Sequence, residues 1–406
     1  MNYQETHLTL KAAFDSNTEQ ELFGQFQLIP HCFESESYRI LPGNSHYSCA
    51  IHGTSFKGNA PGDVIDDDTA DVNINDILID ENRKFNYHIL KPKGVDKADK
   101  ITFIFHGFNE KNWDKYLTWG HAIAERTKST IIYFPLAFHM QRAPKLWSQN
   151  RPMFRMSETR KADYPNVIDS SLSNVAISYR LHTQPQRFVW SGLQTYYDII
   201  QFIEDAKAGK NKHISPDFNF DIFAYSIGGF MTEILKLTNH KNYFDKTKVV
   251  LFCSGPVFNR LSPVSKFILD SEANVALYSY LIEHFDSHLK KDPILNHYIE
   301  QDHLEGKVFH AMLDYKKMRE FRETLLKKYQ NDFYALALEE DAVIPAFEVI
   351  NTLNGAYRDI QIPVDIIDFD YSYTHENPFP VTNKDAELIN QSFHQLFDKV
   401  GAFFNQ

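Results

Sequence analysis

Apolar and polar positions along this chain follow two periods, and the change from one to the other is sharpest between residues 218 and 235. Phe218-Asn219-Phe220-Asp221-Ile222-Phe223 alternates in steps of two, as a strand does, whereas Phe230-Met231-Thr232-Glu233-Ile234-Leu235 has helical spacing. Further strands are predicted at Phe85 to Lys91, Ile101 to Phe105, Ile131 to Phe134, Lys248 to Cys253, Phe333 to Leu338 and Pro363 to Phe369. The second of these is nearly continuous in apolar residues, as expected of a strand covered on both faces. Helical faces are predicted for Trp113, Leu117 and Ile123-Ala124, for Met318, Phe321, Leu325 and Tyr329, and for Ile389, Phe393, Leu396, Val400 and Phe403. Another helix, carrying Leu193, Tyr197, Ile200 and Ile203, is predicted to start at Ser191 with Gln194 completing a capping box.

Strands alternating with helices predict an α/β fold with a mainly parallel sheet flanked by helices, whose reactive groups gather at the carboxyl ends of the strands. A core is expected over 85–255 and 330–406, with residues 136–189 lacking regular periodicity. The mostly helical segment 256–329 is expected to be an insertion at those strand ends, either a cap or lid or simply an enlargement of the core or a dimer contact. Residues 1–84 are the least legible and are expected to form an N-terminal extension.

With 406 residues, 43% of them hydrophobic, the chain can bury a large core. The net charge of -11 argues against a nucleic-acid partner, which demands a basic face. No apolar run approaches the ~18 residues needed for a membrane span, and no secretory leader pattern is present, so a cytoplasmic location is expected. Cys32, Cys49 and Cys253 are an odd, sparse set and are expected to be reduced thiols.

Two patterns invite a metal reading, and neither completes it. In the acidic stretch from Asp66-Asp67-Asp68 to Asp80, a calcium loop starting at Asp71 with Asn73 and Asn75 would need Gly next and Glu at its twelfth position, where Asp76 and Asn82 stand. His46-x-x-Cys49-x-x-His52, with His31-Cys32 upstream, has ligand-like spacing but lacks a paired Cys-x-x-Cys half. No metal or other cofactor is expected.

The chemistry concentrates at Ala224-Tyr225-Ser226-Ile227-Gly228-Gly229, where a strand pattern gives way to a helix pattern at a serine between small residues. Such a turn can be sharp only if its neighbours lack bulk, and it aims the first free amides of the helix at a charge developing on or near the hydroxyl. Ser226 is the predicted nucleophile. The stretch resembles the nucleophile elbow of the α/β-hydrolase superfamily, Gly-x-Ser-x-Gly in a strand, turn, helix setting, with Ala224 in place of the first glycine.

That resemblance implies a Ser-acid-His order along the chain. Glu339-Glu340-Asp341-Ala342-Val343-Ile344-Pro345, after a predicted strand, is similar to the superfamily's acid loop; Asp341 fits best, with Glu339 and Glu340 as competitors. His375, in the loop after the last predicted strand, stands where the base is expected. His106-Gly107-Phe108-Asn109 resembles the superfamily's oxyanion turn, with Phe108 and Ile227 supplying the two amides and His106 in a structural role. The resemblance covers about 85–255 and 330–406 and implies a serine hydrolase of small-molecule acyl substrates, most simply carboxylic esters. Thioester or peptide cleavage would use the same machinery. The rival readings are a non-catalytic binding protein of the same fold, and a zinc enzyme built on His31, Cys32, His46, Cys49 or His52.

Overall fold

The computed structural model describes residues 2–49, 51–58, 72–301, 303–382 and 384–406. Its strands are β1 (Gln20–Leu22), β2 (Phe26–Glu34), β3 (His46–Cys49), β4 (Thr54–Lys57), β5 (Lys84–Pro92), β6 (Ala98–Phe105), β7 (Thr130–Tyr133), β8 (Ile214–Tyr225), β9 (Val249–Phe252), β10 (Phe333–Leu338) and β11 (Val364–Ile367). β3 and β4 form a separate hairpin, and the others join one nine-stranded sheet in the order β1-β2-β5-β7-β6-β8-β9-β10-β11. From β7 to β11 along that order every neighbouring pair is parallel, while β1, β2 and β5 add an antiparallel edge. The result is a mixed α/β protein with a mostly parallel sheet flanked by helices.

Alternation along each strand divides the core in two, because successive side chains point to opposite faces. On β6, Phe103 and Phe105 enter one apolar layer and Ile104 the other, all fully buried. The first layer carries the helices Arg187–Lys207 and Ile227–Thr238. In the second, Tyr3–Asp15, Asp114–Thr127 and Ala386–Phe404 pack on one another. The predicted face of the last helix, from Ile389 to Phe403, is buried as its spacing requires.

Three stretches differ from the sequence expectations. The helix expected at Ser191 begins one turn earlier, at Arg187, with Gln186 as its N-cap. Gln194 does not cap it; its side chain is buried and accepts from Asn82 Nδ2 at 2.7 Å. Within 136–189 the structure has the helices Asn150–Asp163 and Val175–Thr183. The first buries only Met153, Ser157 and Arg160, and the second buries every residue from Val175 to Leu181. Neither extreme produces an amphipathic stripe. In Arg319–Lys328 the residues turned inward are Arg322 and Leu326, whereas Phe321 and Leu325 of the predicted face are half-buried. The Arg322 guanidinium donates to the carbonyls of Ala311 at 2.5 Å and Tyr315 at 2.6 Å, which makes its burial tolerable.

The N-terminal residues contribute to the main sheet, since β2 pairs with β5 along its whole length from Phe26↔Pro92 to Glu34↔Lys84. The helix Tyr3–Asp15 is started by a capping box of Asn2 and Glu5. Of the acidic stretch weighed as a calcium loop, Asp66 to Asp68 and Asp71 lie outside the described residues, while Asp76 pairs with Arg180 and Arg187. Among the described residues no helix is long and apolar enough to cross a membrane.

Candidate active site

Ser226 sits between the end of β8 and the start of the helix Ile227–Thr238, with φ 54° and ψ -124°. This is a conformation that a residue with a side chain adopts at a cost of about 1–3 kcal/mol, so the surroundings must hold it. They do so from three sides. The Ser226 N–H donates to the Phe252 carbonyl at 3.3 Å, and its carbonyl accepts from the Ser254 hydroxyl at 2.7 Å and the Gly229 N–H at 2.9 Å. A Cβ at Gly229 would fall 2.0 Å from Ser254 Oγ, which requires glycine there.

The side chains of Ser226, His375 and Asp341 meet in space. His375 Nε2 is 2.9 Å from Ser226 Oγ, and His375 Nδ1 is 2.7 Å from Asp341 Oδ2. The second carboxylate oxygen of Asp341 accepts the amides of Val343 at 2.9 Å and Ile344 at 2.8 Å, which fixes the group on its loop. A carboxylate can only accept, so Nδ1 carries the proton and Nε2 turns a lone pair toward the serine hydroxyl. Glu339 and Glu340, the competing acids, are exposed. The His375 ring stacks on Tyr225 with centroids 5.2 Å apart. Cys253 lies beside the same carboxylate; burial, then the Asp341 charge, raises its thiol well above the usual range and keeps it neutral.

The turn after β6 is organised around Gly107. Its N–H donates to Tyr116 Oη at 2.8 Å, and a Cβ there would press on the Tyr225 ring at 3.1 Å. His106 is fully buried with both ring nitrogens engaged: Nδ1 with the Gly107 carbonyl at 2.8 Å, and Nε2 accepting the Leu136 amide at 3.0 Å. Burial, then neighbouring His139, holds its pKa well below the ordinary histidine value. His106 thus stays neutral and supports the backbone, with no nitrogen left for the serine.

Phe108, Ser226 and Ile227 line one cavity, continued by Phe188, Phe230 and Phe258. A second apolar cavity shares Phe108 and Ile227 and extends along Leu193, Met231 and Phe309. On the other side, Ser226 and His375 border a crevice of mixed lining that includes Glu110, Lys115 and Asn377. A group at the serine therefore has one almost wholly apolar side and one side that also offers polar and charged groups.

Several residues that sequence reasoning did not single out hold this arrangement. Asn109, at φ 58°, donates from Nδ2 to the carbonyls of Ser173 at 2.9 Å and Phe267 at 2.6 Å, bridging two loops beside the site. Lys115 pairs with Glu110 at 2.5 Å and donates to the Glu376 carbonyl at 2.8 Å, while Ser265 donates to the Glu376 carboxylate at 2.8 Å. The loop of His375 is thus fastened on both sides. Only the positive φ of Asn109 has a signal in sequence, because Asn tolerates it better than most residues.

The five residues weighed as a zinc set do not assemble. His31 packs on Tyr87 and His213, Cys32 and His46 are exposed, and only Cys49 and His52 come together, joined instead by His297 and His303.

A family profile described as "Family of unknown function (DUF6051)" matches residues 1–405. A comparison with curated proteins finds no match. Among solved structures the chain is similar to carboxyl esterase 2 from the mycorrhizal fungus Tuber melanosporum, at 11% identity and a TM-score of 0.43, covering 79% of this chain and 82% of that one. It is also similar to a thermostable esterase from Pseudomonas putida ECU1011, at 11% identity and a TM-score of 0.41 over 100% and 91% of the two chains. Vibralactone cyclase is similar at 9% identity and a TM-score of 0.44, over 98% and 86%.

Proposed function

We propose that this chain, which belongs to the DUF6051 family of unknown function, is a serine hydrolase of the α/β-hydrolase fold that cleaves acyl bonds, carboxylic esters above all. The observation that carries the reading is the unbroken hydrogen-bond chain from Ser226 Oγ through His375 to Asp341, on a serine held in a strained strand-to-helix turn. In this reading the segment 256–329 is a helical cap and residues 1–84 an extension of the core.

A serine hydroxyl is a poor nucleophile until a base takes its proton. His375 Nε2 takes that proton as Ser226 Oγ bonds to the acyl carbon, and Asp341 stabilises the imidazolium through Nδ1–H. The carbonyl oxygen gains negative charge and is met by the amides of Ile227 and Phe108, each worth about 3 kcal/mol of barrier. The intermediate then expels the alkoxide, which takes the proton from His375. Water repeats the sequence on the acyl-enzyme, frees the acid and restores Ser226. The aromatic cavity beside Phe108 and Ile227 suits an apolar acyl group, and the crevice bordered by Lys115 and Asn377 suits a polar leaving group.

The test is covalent labelling with a fluorophosphonate followed by peptide mapping. Modification at Ser226, lost in a folded Ser226→Ala variant, is the expected result. A folded wild-type protein that resists the reagent, or reacts elsewhere, overturns the reading in favour of a non-catalytic binding protein.

A further inference from the structure

Cys49, His52, His297 and His303 each offer one ligand atom to a cluster in which all these atoms lie within 4.8 Å of one another. Cys49 ends β3 and His52 lies in the turn to β4. His297 is on the helix Pro293–Glu300 and His303 immediately precedes the helix Leu304–Ala311. The site therefore joins the small hairpin to a helical segment some 250 residues away, a separation of 254 between Cys49 and His303.

Cys49 Sγ is 3.6 Å from His52 Nδ1 and 3.4 Å from His303 Nε2, and His303 Nε2 is 3.4 Å from His297 Nε2. A tetrahedral zinc with Zn–S of about 2.3 Å and Zn–N of about 2.0–2.1 Å sets ligand-to-ligand edges of roughly 3.5 Å for S···N and roughly 3.3 Å for N···N. Three of the six edges, at 3.6, 3.4 and 3.4 Å, agree with those figures, and the others lie within 4.8 Å.

Proton counting points the same way. His303 Nδ1 is 2.7 Å from the Glu305 carboxylate, which also accepts from Tyr197 Oη; an acceptor there places the proton on Nδ1 and leaves Nε2 a bare lone pair. His297 Nδ1 likewise faces the Gln301 side-chain oxygen at 3.4 Å, which turns its Nε2 into an acceptor too. Two lone pairs then oppose each other 3.4 Å apart in a buried place. A cation at the centre removes the conflict. The His303–Glu305 pair also has the form of the outer carboxylate that orients a metal-bound imidazole.

We propose that Cys49, His52, His297 and His303 bind one zinc ion as a closed structural centre that clamps the β3–β4 hairpin to the helical segment. Thiolate and imidazole donors suit zinc better than magnesium or calcium, and four protein ligands leave no open position for a substrate. Glu305 also lines the apolar cavity that contains Phe108 and Ile227, so the centre steadies one wall of that cavity. The inference does not depend on the hydrolase reading.

Elemental analysis of the full chain after reconstitution with zinc and dialysis is expected to give about one zinc per chain, as a closed four-ligand site should retain. Cobalt(II) in its place should give the intense visible bands of a tetrahedral ion and a thiolate-to-cobalt charge-transfer band, the latter lost in Cys49→Ser. His52→Ala, at an exposed turn where folding is least at risk, should weaken zinc retention at least tenfold. Ser226→Ala should keep its full zinc, which separates this outcome from that of the labelling experiment. A wild-type chain that takes up neither ion at stoichiometric addition, a cobalt spectrum without the thiolate band, or unchanged retention in His52→Ala would overturn the proposal.

Discussion

A Cβ added to Gly228 would lie 2.8 Å from the carbonyl oxygen of His106. The turn that carries Ser226 and the turn that carries Phe108 are thus in backbone contact, and residue 228 sets how closely they approach. Gly228→Ala is expected to push them apart, destabilising the fold by about 1–3 kcal/mol, the usual cost of overpacking. Fluorophosphonate labelling of Ser226 should slow as the amides of Ile227 and Phe108 lose their common focus. Gly192→Ala is the control: it lies in the helix Arg187–Lys207 and its nearest contact would be Met231 Cε at 3.9 Å. That variant should melt at or above the wild-type temperature, because alanine is the better helix former.

Two histidines near the serine should separate cleanly by variant. His375→Ala removes the base and is expected to abolish labelling even in its folded fraction, at a stability cost of about 1–3 kcal/mol because the buried Asp341 carboxylate loses its imidazole partner. His106→Ala strips the Leu136 amide of its buried acceptor, at about 1–3 kcal/mol. The folded fraction of that variant should still label, since no nitrogen of His106 faces Ser226. Labelling rates measured beside thermal melts check both, and the reverse pattern would exchange the two roles.

Asp341→Asn should leave the chain folded and cut ester turnover by about 10³–10⁴-fold, because an amide facing Nδ1 no longer fixes the tautomer that turns a lone pair to Ser226. Glu339→Gln and Glu340→Gln should be neutral, since both side chains are exposed. Steady-state kinetics on an activated ester, compared across the three variants, distinguishes Asp341 from its neighbours.

How much of this was legible in sequence follows from which interactions are local. The strands with continuous or alternating apolar runs, β6, β8, β9 and β10, were read directly, because burial writes its period into the sequence. The convergence of Ser226, Asp341 and His375 was inferred from their order and from each one's place after a strand. Val175–Thr183 shows no helical period because every residue from Val175 to Leu181 is buried, so no exposed polar face marks one side. The role of Asn109 has no sequence signal beyond its tolerance of positive φ, because its partners, the carbonyls of Ser173 and Phe267, belong to loops that sequence spacing cannot bring together. Cys49 and His52 share a ligand-like spacing in the sequence, but their companions His297 and His303 follow only from the packing of the hairpin on distant helices.

Acid should unfold this protein earlier than its carboxylates alone would dictate. His88 and His139 are buried, and burial lowers each pKa from 6.5 to about 4. Among the described residues neither ring nitrogen of His88 has a hydrogen-bond partner, and its ring lies 4.1 Å from that of Phe14. Well above pH 6.5 both histidines are neutral whether the chain is folded or not, and they do not bias the equilibrium. Below it the unfolded chain binds protons that the folded chain refuses, so stability is lost as pH falls toward 4. A shift from 6.5 to about 4 amounts to roughly 3 kcal/mol per histidine by pH 4, and roughly 2 kcal/mol by pH 5. Replacing His88 by leucine keeps an apolar side chain in the same layer and removes one of the two proton sinks. The melting temperature of His88→Leu is therefore expected to fall less steeply than that of the wild type between pH 6.5 and 5. Equal slopes would mean that the folded protein admits a proton at His88.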